Sequence, residues 1–148
     1  MFTYVTGMLD LAIYDAIVYI PEDTHKDINI FPGNLVKQIE KYIDIDDYIK
    51  KYKKNKDLLF SYKLKYPDKS ISLISFLSHS QWKNIESLDI IINGFKELIS
   101  IVKTNNIKSI VLPSLTGNIT EQHWNEILHE LELMQFMLDD FKIYIYIL

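Results

Sequence analysis

The sequence contains no cysteine and no arginine among its 148 residues. Without cysteine, disulfides, thiol nucleophiles and Cys-ligated zinc are excluded. All 16 basic residues are lysine, so an anion must be held by lysine, backbone N–H groups or hydroxyls and never by a bidentate guanidinium. Alanine occurs only at positions 12 and 16, whereas Ile, Lys, Asn and Tyr are abundant. This bias is typical of AT-rich genomes and favours a phage, a large virus or a low-GC bacterium as the source.

Long apolar runs are also missing. No segment approaches 18 consecutive apolar residues, so we expect no membrane span and no membrane partner. The first residues form a short alternating run without a basic region and a long apolar stretch, which argues against a secretory signal. These observations predict a cytoplasmic protein, acting in the host cytoplasm if its source is a phage or virus.

Positive charge is scarce as well, with a net charge of −4 and a pI near 5.5. Binding to nucleic acid through a broadly basic face is therefore not expected. The local basic run at residues 50–56 is interpreted as a solvated helix end. The four histidines lack the i, i+4 spacing of a paired metal site, so we predict no metal site, and nothing in the sequence implies a cofactor.

Hydrophobic periodicity predicts an α/β protein that forms a single domain over residues 1–148. Its composition, 48% hydrophobic and 24% charged, is that of a globular domain. Apolar patterns predict strands at residues 2–6, 15–20, 58–65, 71–77, 108–113 and 141–148. They predict helices that begin at Gly33-Asn34, at a capping Asp46, at Asn84 or Ser87, and before Trp124.

This alternation implies a three-layer α/β/α sandwich with a mixed sheet and helices on both faces. In the helix at about residues 85–104, the core face is predicted to include Leu88, Ile92, Phe95 and Ile99. Ligands of open α/β sheets bind at the carboxyl ends of the strands, so the loops at residues 21–32, 78–83 and 114–120 are the candidate site.

The segment from Leu73 to Trp124 carries a more specific pattern. It contains a strand ending in Phe76, Trp82 shortly afterwards, a helix with Gly94, and a strand of the form Ser-Ile-Val-Leu-Pro at residues 109–113. In order and spacing this resembles a macro domain, most of all the branch of antitoxins that remove ADP-ribose from DNA. Residues 4–7, 15–18 and 33–39 are similar to the family's first strands and helix, though less specifically.

The resemblance implies ADP-ribose or a related nucleotide as the ligand, and nucleic acid as a partner only if it is ADP-ribosylated. The positions that it implies for ligand binding lie in the loops at the strand ends and near the end of the last strand. They are Gly7, Met8, Pro21, Glu22, Gly33, Asn34, Ser114, Leu115, Thr116, Gly117, Asn118, Ile119, Thr120 and Tyr146.

Several of these positions depart from the family pattern. Met8 stands where the family has an aspartate that binds the adenine amino group, and a thioether is a poor substitute for that acceptor. An asparagine-rich turn is replaced at residues 19–22, and only Gly117 remains of the glycines that let backbone N–H groups approach the diphosphate. Glu121 adds a carboxylate beside that position unless it points to solvent.

His79 takes the place of the lysine that the antitoxin branch uses in hydrolysis. An imidazole with an ordinary pKa near ~6.5 suits general acid–base chemistry, and His79 is the candidate catalytic residue, but an exposed loop histidine fits the sequence equally well. Thr116, Asn118 and Thr120 suit either phosphate binding or helix capping. For Tyr146 and Trp124, packing under a helix is favoured over ligand stacking.

Three functions remain open. The favoured one is a module that binds ADP-ribose or a related nucleotide, with reduced or no hydrolase activity. An ADP-ribosyl hydrolase or ADP-ribose phosphatase is the second, and a protein-binding scaffold without a nucleotide site is the third. The sequence does not indicate the oligomeric state.

Overall fold

The computed structural model describes residues 2–19, 37–76, 87–114 and 121–147. Six strands form one sheet: β1 (Thr3–Val5), β2 (Ala16–Tyr19), β3 (Leu59–Leu64), β4 (Ile71–Phe76), β5 (Ser109–Pro113) and β6 (Lys142–Tyr146). Three α-helices lie in the described ranges: α1 (Ile45–Lys54), α2 (Ser87–Thr104) and α3 (Glu121–Met137). Among these residues, no helix combines the length and hydropathy that are needed to cross a bilayer.

The strand order is β1-β6-β5-β2-β4-β3. Every pair of neighbours is parallel except β3 and β4, which are antiparallel and follow each other in the chain. The sheet is therefore mixed, as predicted. Because five strands run in the same direction, the ends of β1, β2, β4, β5 and β6 meet at one edge, which we call the carboxyl edge.

Two apolar clusters cover the two faces of the sheet, which confirms the α/β/α sandwich with helices on both sides. One cluster joins α2 and α3 to the sheet, with Phe95, Leu98, Ile127 and Leu131 fully buried. The other lies under α1 and is rich in tyrosine, including Tyr14, Tyr48 and Tyr62. Trp124 is 6% exposed and belongs to the first cluster, so the predicted packing role is confirmed.

The sequence placed the elements well, but the cap assigned to α1 was wrong. Helix α1 is capped by Asp44, whose carboxylate accepts from the N–H of Asp47, and not by Asp46. Of the helix predicted to begin at Gly33-Asn34, the described part is helical at Lys37 and is followed by a turn and by the 3-10 turn Glu40–Tyr42; its predicted start lies outside the described residues. Along α2 the predicted core residue Phe95 is fully buried, Ile99 is half-buried and packs against the same cluster, and Ile92 is half-buried; Leu88 lies outside the described side chains.

Two chain reversals are made by residues with left-handed backbone. Asp68 has φ 63° between β3 and β4, and Asn106 has φ 53° at the end of α2. Asn and Asp tolerate this conformation better than other non-glycine residues. These reversals place β4 beside β3 and return the chain from α2 to β5.

Candidate functional site

The candidate site is a groove of about 580 Å³ at the carboxyl edge, beside the ends of β1 and β6. Among the described residues, its lining consists of Gly7, Met8, Lys37, Gln38, Glu40, Lys41 and Tyr146. Gly7 and Met8 follow β1, and Tyr146 is the last residue of β6. Three predicted ligand-binding residues from opposite ends of the chain therefore line the same groove.

The carbonyl of Gly7 ties this groove together. It accepts a hydrogen bond from the Tyr146 hydroxyl at 3.0 Å and another from the Gln38 amide nitrogen at 3.0 Å. The Gln38 side-chain oxygen in turn accepts from the N–H of Leu9 at 2.7 Å. One glutamine thus bridges both sides of Met8, which fixes the path of the chain after β1.

The turn at Gly7 depends on its lack of a side chain. Gly7 has φ +74°, a region that other L-residues rarely adopt. Among the described residues other than its chain neighbours, no atom lies within 4 Å of where a Cβ would stand, so the requirement comes from the backbone and not from crowding. The turn carries Met8 to the surface, where its side chain is 88% exposed at the groove.

Tyr146 is packed and only 2% exposed. Two backbone hydrogen bonds of 2.9 Å also hold the end of β6. The Tyr146 carbonyl accepts from the N–H of Ser114, and the N–H of Ile147 donates to the Val5 carbonyl. Packing, the role that the sequence favoured for Tyr146, is the one observed. Its hydroxyl stabilises the Gly7 turn from below the groove.

Ser114, which the resemblance implies for ligand binding, begins the loop that follows β5. Its backbone N–H is donated to the Tyr146 carbonyl and is therefore not directed at a ligand. The Ser114 side chain is half-buried. The first residue of the loop therefore continues the pairing between β5 and β6.

The other predicted site residues lie outside the described residues. They are Pro21, Glu22, Gly33, Asn34, His79, Leu115, Thr116, Gly117, Asn118, Ile119 and Thr120. Within the described ranges, no three His, Asp or Glu side chains come together as a set of metal ligands.

The cationic side of the groove was not predicted from the sequence. Lys37 and Lys41 line it together with Glu40, and the Lys41 ammonium lies 5.0 Å from the centroid of the Tyr42 ring. A lysine pair at i, i+4 in a chain without arginine was the pattern that could have identified them, because lysines are its only permanent cations for an anionic ligand.

A second groove, of about 590 Å³, has the opposite charge. It is lined by Ile92 and by six residues of α3, three of which are glutamates: Glu121, Gln122, Asn125, Glu126, His129 and Glu130. Glu121 is exposed there, which agrees with the alternative in which its carboxylate points to solvent. Three carboxylates repel an anionic ligand, so the lysine-lined groove is the better candidate for a nucleotide.

Comparison with known proteins supports the fold assignment. No protein-family model matches the sequence, and no curated protein sequence is significantly similar to it. Among solved structures, the macrodomain of Mycobacterium tuberculosis DarG matches with a TM-score of 0.69 and 19% identity, covering 99% of this chain and 97% of that one.

Two further structures show the same likeness. The Oceanobacillus iheyensis macrodomain with MES bound matches with a TM-score of 0.65 and 15% identity, over 97% of this chain and 82% of that one. Thermosipho africanus DarTG in complex with ADP-ribose matches with a TM-score of 0.59 and 14% identity, over 99% of this chain and 42% of that one. The resemblance noted in the sequence is thus confirmed in three dimensions: the chain has the macrodomain fold.

Proposed function

We propose that this protein binds ADP-ribose or a related ADP-ribosyl nucleotide at the carboxyl edge of its sheet, with reduced or no hydrolase activity. The observation that carries the proposal is the groove in which Gly7, Met8 and Tyr146 lie beside Lys37 and Lys41. Its volume falls within the range of small-molecule sites, roughly 300–1,000 Å³. Two lysines and one glutamate give it a local positive charge, although the protein as a whole is acidic.

The fold supports the ligand class. One structure of the same fold is that of a protein in complex with ADP-ribose. The resemblance of residues 4–7 to the family's first strand supports a position of the adenine end beside Met8. A thioether accepts a hydrogen bond only weakly, so we expect this protein to bind adenine without selecting strongly for its amino group.

The loss of hydrolysis is proposed from His79. An imidazole is shorter than a lysine and is mostly neutral at pH 7, so it replaces a lysine poorly beside a sugar carbon that develops charge. Release of ADP-ribose from a modified DNA oligonucleotide should be near background. Turnover well above background that disappears in His79→Ala would instead favour the ADP-ribosyl hydrolase.

Isothermal titration calorimetry with ADP-ribose tests the binding function. The groove variant is Met8→Asp, which restores a carboxylate acceptor beside the adenine; its matched control is Phe136→Asp, because Phe136 on α3 is 89% exposed outside the groove. We expect the wild type to bind ADP-ribose and the analogue with hypoxanthine in place of adenine about equally. Met8→Asp should favour ADP-ribose over that analogue about tenfold, as one charged acceptor permits.

Failure of the wild-type protein to bind ADP-ribose would refute the proposal. Equal discrimination by Met8→Asp and Phe136→Asp would show that the adenine lies elsewhere. As parts of the same proposal, we infer a phage or viral source from the AT-rich compositional bias and, with that source, a site of action in the host cytoplasm.

A further inference from the structure

The lysine-lined groove lies away from the place where the sheet topology favours a diphosphate. After β2 the chain continues to β3 and β4 on one side of it, and after β4 it returns to β5 on the other side. The crevice between β2 and β5 is therefore the switch point of the sheet. Ligands of open α/β sheets bind outside the carboxyl ends of the strands at this point.

The separation follows from strand spacing. The groove begins at the boundary between β6 and β1. Two strands, β5 and β6, separate it from the crevice between β2 and β5, which amounts to two strand spacings. Each spacing is about 4.8 Å, so the two places are roughly 10 Å apart. A hydrogen bond or a direct ion pair spans ~3–4 Å, so a phosphate at the crevice lies beyond direct contact with the backbone at the ends of β6 and β1.

The polar groups of the groove also favour an anion over a neutral sugar. Gln38 and Tyr146 both donate to the Gly7 carbonyl, and the Gln38 oxygen is engaged by Leu9. These contacts make the groove wall and leave the ammonium groups of Lys37 and Lys41, with three donors each, as the cationic donors among its described lining residues; with the one carboxylate there, Glu40, the net charge is still positive. Ammonium groups bind phosphate as point charges and do not require bidentate geometry.

We propose that this groove binds a phosphomonoester carried on the nucleoside half of the ligand, separate from the diphosphate. This inference rests on the proposed function, which places the adenosine end beside Gly7 and Met8. The preferred ligand would then be an ADP-ribosyl nucleotide with an additional phosphate on its adenosine ribose. Lys37 and Lys41 would bind that phosphate, and the exposed Met8 side chain would cover the base.

The test compares four ligands by calorimetry on the full chain. They are ADP-ribose, ADP-ribose with a 2′-phosphate on the adenosine ribose, ADP-ribose with a 1″-phosphate on the distal ribose, and adenosine 2′,5′-bisphosphate. We expect the 2′-phosphate to tighten binding about tenfold and the 1″-phosphate to give no comparable gain. The gain from the 2′-phosphate should shrink as salt is raised, since exposed charges are screened.

The double variant Lys37→Met/Lys41→Met removes both ammonium groups and retains much of the aliphatic length. Its matched control is Lys50→Met/Lys53→Met, which removes two exposed lysines from α1 outside the groove. The groove variant should bind ADP-ribose and its 2′-phosphate about equally, whereas the control should retain the tenfold preference. Circular dichroism and thermal melting establish that both variants are folded.

The outcomes separate this inference from the proposed function. Binding of ADP-ribose without a gain from the 2′-phosphate would overturn the inference and leave the proposed function in place. Lysine-dependent binding of adenosine 2′,5′-bisphosphate without binding of ADP-ribose would support the groove and refute the proposed function. A gain from the 1″-phosphate in place of the 2′-phosphate would overturn the inference, because the distal ribose would then occupy the groove.

Discussion

Gly94 offers a quantitative test of how tightly α2 packs on the sheet. A Cβ added at Gly94 would lie 2.7 Å from Cε2 of Phe76, the last residue of β4. Favourable carbon–carbon contacts are about 3.5–4.0 Å, so one atom must move by roughly 1 Å. The Phe76 ring is only 3% exposed, and its centroid lies 4.9 Å from that of Phe95. The ring therefore has little room to withdraw.

Two effects of Gly94→Ala compete. Alanine in the interior of a helix is favoured over glycine by about 1 kcal/mol. Overpacking a closed core costs about 1–3 kcal/mol, and a contact this short between buried groups belongs at the upper end of that range. We therefore expect Gly94→Ala to lower the free energy of unfolding by about 1–2 kcal/mol, against the direction of helix propensity.

Urea denaturation followed by circular dichroism measures this change. Asn93→Ala is the matched control, because Asn93 is exposed on the same turn and the substitution brings a helix-propensity gain of roughly 0.5 kcal/mol without the contact. In a Phe76→Leu background the cost of Gly94→Ala should fall, since the smaller side chain yields space. A Gly94→Ala protein as stable as the wild type would refute the packing described for α2.

Three further predictions follow from the turn, the buried polar pair and the tyrosine layer. Gly7→Ala should cost about 1 kcal/mol of stability through its φ of +74°, and Gly7→Asn should cost less; equal denaturation midpoints for wild type and Gly7→Ala would contradict this. Tyr48→Phe removes the 2.5 Å hydrogen bond to the buried Ser75 hydroxyl and should lower the free energy of unfolding by about 1–2 kcal/mol. Adding Ser75→Ala should recover part of this loss, because the hydroxyl left without its partner is then removed too. Additive losses of the two substitutions in urea denaturation would argue against the hydrogen bond between them. Burial, and then the hydrogen bond to Asp47, raises the pKa of Tyr62 from 10.0 to about 12. The stability that the neutral Tyr62 side chain contributes is therefore complete below pH 10 and is lost as the pH rises through 12. Between pH 9 and 12, the free energy of unfolding of the wild type should thus fall more steeply than that of Tyr62→Phe. Parallel pH dependences of the two proteins would show that the ionisation of Tyr62 does not cause the loss.

Much of the architecture was determined locally and could be predicted from the sequence. The strand and helix positions agree with the structure to within a few residues, because β-branched runs, helical apolar spacing and turn residues such as Asp68 act over short distances. The error at Asp46 is of the same local kind: two aspartates two residues apart can both cap a helix, and the backbone selected Asp44.

The site depended on contacts that no local pattern specifies. Gly7 and Tyr146 are 139 positions apart, and they meet because β1 pairs with β6 at one end of the sheet. The strand order β1-β6-β5-β2-β4-β3 results from the burial of two apolar faces at once, and many orders satisfy the same sequence pattern. Gln38 likewise contacts Gly7 and Leu9 only after the segment that carries it packs over the end of β1.

The sequence by itself thus determined the secondary structure, the fold class and the chemistry that remains for binding an anion, since a chain without arginine or cysteine must use lysines, amides and hydroxyls. Only the tertiary structure decided which lysines those are. Lys37 and Lys41 line a groove with Tyr146, whereas the lysines of α1 extend from the helix surface. The physical reason is that residue type determines what a side chain can bind, while the pairing of distant strands determines which side chains share one space.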